Sequence, residues 1–134
     1  MNIKLFKVTW DNFDVDLCLT VKVDLDIVSD EDLFQINNFF SESYERLQDS
    51  DGNILHTVLK MLACQCFLLA VQHDYNVRGI VSLFDWDNKF GGGQEGWPKM
   101  DGSAGIELIA CDILRFEDSD MAVLEITDKE QENE

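Results

Sequence analysis

Between residues 15 and 23 the chain alternates without a break. Val15, Leu17, Leu19, Val21 and Val23 are apolar, while Asp14, Asp16, Cys18, Thr20, Lys22 and Asp24 flank them. Successive side chains of a β-strand point to opposite faces, so this segment predicts a strand with one apolar and one mostly acidic face. A helix would scatter the same five apolar residues around its circumference. Residues 3–9, Ile-Lys-Leu-Phe-Lys-Val-Thr, mix alternation with β-branched side chains and predict a partner strand ending near Trp10, with Asp11-Asn12 as the turn of a hairpin.

The period then changes. Ser29 precedes Asp30, Glu31 and Asp32, a capping hydroxyl followed by carboxylates that favour the positive end of a helix dipole. Leu33, Ile36, Phe40, Tyr44 and Leu47 recur at helical spacing, predicting one amphipathic helix of about five turns that stops at Asp49-Ser50-Asp51-Gly52. A second helix over residues 54–74 places Leu55, Val58, Leu59, Leu62, Cys66 and Leu69 on one face and is apolar nearly all round in its second half, as central helices are. Residues 77–84 predict a short third helix, and residues 106–113 and 121–126 two further strands. The expected fold is therefore α+β: an antiparallel sheet of about four strands, in the order β-β-α-α-α-β-β, with helices packed on one face. A single domain over 1–127 and a disordered acidic tail over 128–134 complete the expectation.

Charge bears on partners more than on fold. There are 27 Asp and Glu against 10 Lys and Arg, a net charge of −17 on 134 residues. The surplus sits in two segments, 11–32 and 117–134, each with eight acidic residues and one basic. Such a field repels nucleic acid and anionic membranes and attracts basic surfaces. Residues two apart on a strand are roughly 7 Å apart, so Asp14 with Asp16, and Asp24 with Asp26, would present carboxylates at a spacing close to that of neighbouring phosphates. Asp30, Glu31 and Asp32 extend the field. This surface reads either as a mimic that fills a basic nucleic-acid-binding groove or as a solvated face that keeps a small protein in solution.

The second candidate is the irregular segment 85–103. It holds Trp86 and Trp97, five of the eight glycines and the only proline. Long segments without regular structure are uncommon in compact domains unless they act, and Asp85, Trp86, Asp87, Asn88, Gln94, Glu95, Trp97 and Asp101 form a candidate partner-binding loop. The alternative is that the tryptophans plug the loop onto the core. Gly91-Gly92-Gly93 follows no strand and has no nearby Lys-Ser or Lys-Thr pair, which excludes a phosphate-binding loop. Asp85-x-Asp87 opens like a calcium loop, but Lys89, Phe90 and Gly96 stand where ligands and the turn glycine belong.

No catalytic constellation accompanies these features. His56 and His73 lie 17 residues apart on one predicted helix, roughly 25 Å along its axis, and cannot share a site within one chain. Cys18, Cys64, Cys66 and Cys111 match no zinc spacing and are expected as free thiols. The start of the chain lacks the apolar run of a signal peptide, and residues 61–71 are too short for a bilayer. The expectation is a cytoplasmic protein that is not an enzyme and uses no cofactor or metal.

Phe84-Asp85-Trp86-Asp87-Asn88, followed by Gly93-Gln94-Glu95-Gly96-Trp97-Pro98 and Met100-Asp101-Gly102-Ser103, resembles a family of small acidic proteins of unknown function encoded by phages, prophages and plasmids. Val8-Thr9-Trp10, Ile36-Asn37-Asn38-Phe39 and Val58-Leu59-Lys60-Met61-Leu62-Ala63 share in the resemblance, which covers most of the chain. It implies no reaction and no catalytic residue. By analogy of setting and charge, small acidic phage proteins include inhibitors of host restriction and CRISPR systems, several of them nucleic-acid mimics. The resulting expectation is a protein-interaction module that inhibits a basic, nucleic-acid-binding host defence protein through the acidic surface, with the loop supplying shape. Two alternatives are a small-ligand binder using loop 85–103 as a lid over Trp86 and Trp97, for which the net charge disfavours an anionic ligand unless Arg78, Lys89 and Lys99 converge, and a structural homodimer paired through strand edges or the loop.

Overall fold

A computed structural model describes residues 2–12 and 15–126, with the side chains of Asn12 and Val15 left out. The alternating segment forms the middle strand. β1 (Ile3–Asn12) and β2 (Val15–Asp24) pair antiparallel with Ile3 opposite Asp24 and Val8 opposite Leu19. β3 (Ile106–Cys111) pairs antiparallel along the other side of β2, giving the order β1-β2-β3. Leu17, Leu19, Val21 and Val23 are all buried, as the alternation requires, together with Ile106 and Leu108 of β3. Each such side chain contributes about 1.5–3 kcal/mol by leaving water. Asp11 and Asn12 belong to β1 rather than to the expected turn, and residues 13–14 lie outside the described residues.

The helices cover one face of this sheet. α1 (Asp30–Phe39) starts as its sequence dictates: the Ser29 hydroxyl accepts from the Asp32 N–H at 3.1 Å, and the Asp32 carboxylate accepts from the Ser29 N–H at 3.0 Å. The expected five-turn helix is, however, two helices. It ends at Phe40, turns through Glu42 in a left-handed conformation (φ 64°), and resumes as α2 (Ser43–Asp49). Arg46 holds the break: its guanidinium donates to the Asn37 side chain at 2.9 Å, to the carbonyls of Asn37 at 2.9 Å and Phe40 at 3.2 Å, and to the carbonyl of Ser41. These carbonyls lie at and just beyond the end of α1, where helical hydrogen bonding runs out; that of Asn37 also accepts from the Phe40 N–H at 3.4 Å.

α3 (Ile54–His73) is the central helix, capped by the Asn53 side chain, which accepts from the His56 N–H at 3.0 Å. Val58, Leu59, Leu62, Cys66 and Leu69 are buried between the sheet and α1, while Leu68 and Cys64 face solvent. The whole helix, at 20 residues, is longer than the 61–71 run considered from sequence, and its length and composition would suit a membrane. Half of its apolar span is nonetheless buried inside this fold. α4 (Val77–Leu83) follows, capped by Asn76, and delivers Phe84 into the core.

The fourth strand is not formed. Residues 121–126 are irregular and exposed, after a single 3-10 turn at Asp118–Asp120. The first half of the outer edge of β3 is already taken: the Leu108 N–H donates to the Met100 carbonyl at 3.2 Å, and the Gly102 N–H to the Ile106 carbonyl at 3.0 Å. The end of the long loop thus occupies part of the place a fourth strand would have used. Among the described residues the fold is α+β with a three-stranded antiparallel sheet and four α-helices. The expected disordered tail, 128–134, lies outside the described residues.

Candidate functional site

Loop 85–103 is built from the inside. Trp97 is only 6% exposed and packs its ring against Phe84 and Phe40. Trp86 is 52% exposed, yet its indole N–H donates to the Trp97 carbonyl at 3.0 Å, and its ring lies so close over Gly93 (φ 93°) that a Cβ there would fall 2.3 Å from it. Only glycine fits that position. Asn88 donates to the Ser82 carbonyl at 3.1 Å and accepts from the Phe90 N–H at 3.0 Å. Gln94 donates to the Leu83 carbonyl at 3.1 Å and accepts from Gln65 at 3.0 Å. Lys99 bridges Asp85, at 3.4 Å, and Asp87; these two carboxylates hold its ammonium pKa above the ordinary value, the Asp87 hydrogen bond most of all.

Asp101 accepts from the Ser103 hydroxyl at 2.6 Å and from its N–H at 3.0 Å, bonds that lower its carboxyl pKa. Of the eight predicted loop residues, seven therefore have intramolecular work, and Glu95 is exposed with no such bond among the described residues. The loop is a packed scaffold. Because Asp85 and Asp87 engage Lys99, its charge is already compensated where an anionic ligand would need it.

The acidic segment is also more local than its spacing implied. β2 ends at Asp24, so Asp26 lies in the following turn and the pair has no strand spacing. The Asp24 carboxylate accepts from the Asp26 N–H at 3.0 Å, and the Asp26 carboxylate from the Asn2 N–H at 3.0 Å. Asp14 lies outside the described residues, and Asp16 faces Asp11 across the β1–β2 pair. Lys22 on β2 and Lys7 on β1 share that outer face, which is mixed in charge rather than a carboxylate array. Asp30, Glu31 and Asp32 stand exposed in the first turn of α1.

The two predicted surfaces do meet. A cleft of about 460 Å³ runs between α1 and the loop, with Ile27, Val28 and Asp32 on one wall and Gly96, Trp97 and Pro98 on the other. Gln35 and Ile36 extend the first wall. They were missed in the sequence, although they lie three and four residues beyond Asp32 and so share its helix face. Trp86 does not line this cleft.

The histidines are separate, as the helix length requires: His56 packs edge-on to Phe6, and His73 stacks on Tyr75. All four cysteines are free. Burial pushes the Cys66 thiol pKa far up and that of Cys111 up to about 11, opposing reactivity at both. Among the described residues no group of three or more His, Cys, Asp or Glu is placed to hold a metal ion.

Fold and cleft together define a small acidic α+β protein with a surface cleft walled by Asp32 on one side and Trp97 on the other. A family model described as a protein of unknown function (DUF2528) matches residues 18–124, and the chain belongs to that family. It is similar to "Protein ea10" of Escherichia phage lambda and to "Lambda prophage-derived protein ea10" of Escherichia coli O6:H1. Each is 43% identical over 109 residues, covering 81% of this chain and 87% of the relative. The phage and prophage resemblance carried by the loop motif is thereby established, the motif lying wholly within the matched span. No solved structure matches the chain.

Proposed function

We propose that this protein is a non-enzymatic interaction module that acts in the cytoplasm of the bacterial host and binds a basic surface of a host protein through the cleft between α1 and loop 85–103. The observation that supports it is the convergence of the acidic segment and the loop on one opening. Asp32 lines the cleft, Asp30 and Glu31 occupy the same first helical turn, and Ile36, Trp97 and Pro98 supply apolar walls. An arginine or lysine side chain suits such a place, its methylene stem against the apolar wall and its charged head at the carboxylates. A net charge of −17 draws a basic partner to it over a distance that salt shortens. A nucleic-acid-binding defence protein of the host is the partner class this charge favours.

The test is capture from a nuclease-treated host lysate, eluted with a salt gradient, by the native chain and by an Asp30→Lys/Glu31→Lys variant. Both residues are exposed, so the variant keeps its core. The native chain is expected to retain a basic protein that moderate salt releases, and the variant to lose it. Capture of the same protein at the same salt by the variant overturns the proposal.

A second reading, a small-ligand site, draws on the cleft volume, which falls in the range of small-molecule pockets. With Asp32 in its wall, the ligand would be cationic or neutral. It predicts a change in Trp97 fluorescence on titration with a metabolite mixture, unaffected by the Asp30→Lys/Glu31→Lys change.

A further inference from the structure

Two parts of this chain lack a partner among the described residues and match each other in chemistry. The first is the outer edge of β1, the side of the sheet away from β2, where no strand pairs among the described residues. A groove of about 340 Å³ follows it, lined by residues 6–9 of β1 and by His56, Leu59 and Lys60 of α3. Consecutive strand residues point to opposite faces, so an opening that touches four in a row lies against the strand's edge, where its N–H and C=O groups emerge. Phe6, Val8 and Leu59 give it an apolar wall, and Lys7 and Lys60 give it positive charge, with Lys4 exposed further along the strand. In a chain with only 10 Lys and Arg, this is a local reversal of sign.

The second part is the segment 117–126, Glu-Asp-Ser-Asp-Met-Ala-Val-Leu-Glu-Ile, with four carboxylates and no basic residue. Its second half has the apolar composition of a strand, yet Val123 is 99% and Leu124 84% exposed. Among the described residues of one chain the edge stays open and the segment stays exposed.

We infer that the β1 edge binds residues 117–126 of a second copy as an added strand, and that the exchange is reciprocal, giving a two-fold dimer. Main-chain hydrogen bonds from β1 supply the pairing and the apolar side chains cover Phe6, Leu59 and the exposed Leu5. The carboxylates of one copy meet Lys4, Lys7 and Lys60 of the other, which sets the partner and the direction. Reciprocity satisfies both unpaired parts of each copy with one symmetric contact.

Light scattering on the full-length chain over a concentration series tests this. The native chain is expected at twice its monomer mass, and Val123→Asp/Leu124→Asp at the monomer mass, with circular dichroism unchanged because both positions are exposed. Two charge-reversed chains, Lys7→Glu/Lys60→Glu and Glu117→Lys/Asp120→Lys/Glu125→Lys, should each be at least tenfold weaker in self-association. Mixed together they should recover a dimer, since each groove then faces a segment of opposite charge. A native chain that is monomeric throughout the series, or a dimer that survives both the aspartate pair and the charge reversals, overturns the inference. Asp30→Lys/Glu31→Lys should leave this dimer intact, which separates it from the cleft proposed above.

Discussion

The indole N–H of Trp86 donates to the main-chain carbonyl of Trp97 at 3.0 Å, tying the outer half of the long loop to the half that enters the core. Trp86→Phe removes this bond and also trims the indole that lies over Gly93, so it is expected to lower stability by about 1–2 kcal/mol. Gly93→Ala adds a Cβ 2.3 Å from the Trp86 ring at a φ of 93°, and is expected to cost more, about 1–3 kcal/mol. Urea titrations followed by tryptophan fluorescence measure both; Gly93→Ala should also red-shift the folded spectrum, because the Trp86 ring must leave its seat.

Arg46→Ala should destabilise the chain by about 2–3 kcal/mol, because it removes charge-assisted bonds to the buried Asn37 and to three carbonyls at the end of α1. Arg46→Lys should restore less than half of the loss, since an ammonium cannot span Asn37, Phe40 and Ser41 as a planar guanidinium does. Chemical denaturation of the three chains checks the order.

The carboxylates of Asp16 and Asp101 should titrate in opposite directions from the ordinary aspartate value of 3.8. Asp16 is raised, chiefly by a hydrogen bond with Asp11, which can share a proton only while one of the two is protonated, and secondarily by the Asp11 charge. The folded chain therefore holds that proton more tightly than the unfolded one, and this pair weakens folding as pH climbs from the unfolded value through the folded one. Asp101 is lowered, chiefly by its Ser103 hydroxyl bond, so its contribution is present above the unfolded value and lost as pH falls through the folded one. Carboxyl-carbon NMR titration should place Asp16 above and Asp101 below 3.8. Asp16→Asn should raise stability at neutral pH, and Ser103→Ala should move Asp101 back up.

Thiol labelling of the native chain should reach Cys64 first and Cys66 last. Cys64 is exposed, whereas Cys66 is fully buried beneath the sheet and its thiolate is disfavoured by that burial. Labelling of Cys66 should follow the rate of global opening, and mass spectrometry of timed samples separates the sites.

What could be read in advance was whatever depends on neighbours in the chain. The β1–β2 hairpin follows from the alternation at Leu17, Leu19, Val21 and Val23, and the start of α1 from Ser29 and Asp32, because one period and one capping box are local matters. The break at Phe40 was invisible, since Phe40, Tyr44 and Leu47 keep helical phase across it. It depends on Arg46 reaching back to Asn37, and Tyr44 is in fact exposed. The fourth strand failed for a similar reason: residues 121–126 have strand composition, but residues 100–102 take the first half of the edge they needed. The cleft was half legible, as two segments without their juxtaposition, because nothing local brings Asp32 to Trp97.

That partly occupied β3 edge also limits how the protein can grow. A sheet with both borders open can add copies without end and propagate into a fibre, with each newcomer offering the next a fresh template. Here residues 100–102 cover the first half of one border, at Ile106–Leu108, while among the described residues the β1 border has no such cover. A strand arriving at the β3 border therefore meets a shortened template, and the β1 border is the longer one on offer. The glycine-rich loop, besides walling the cleft, thus shields at its far end part of a sheet border that would otherwise be bare backbone.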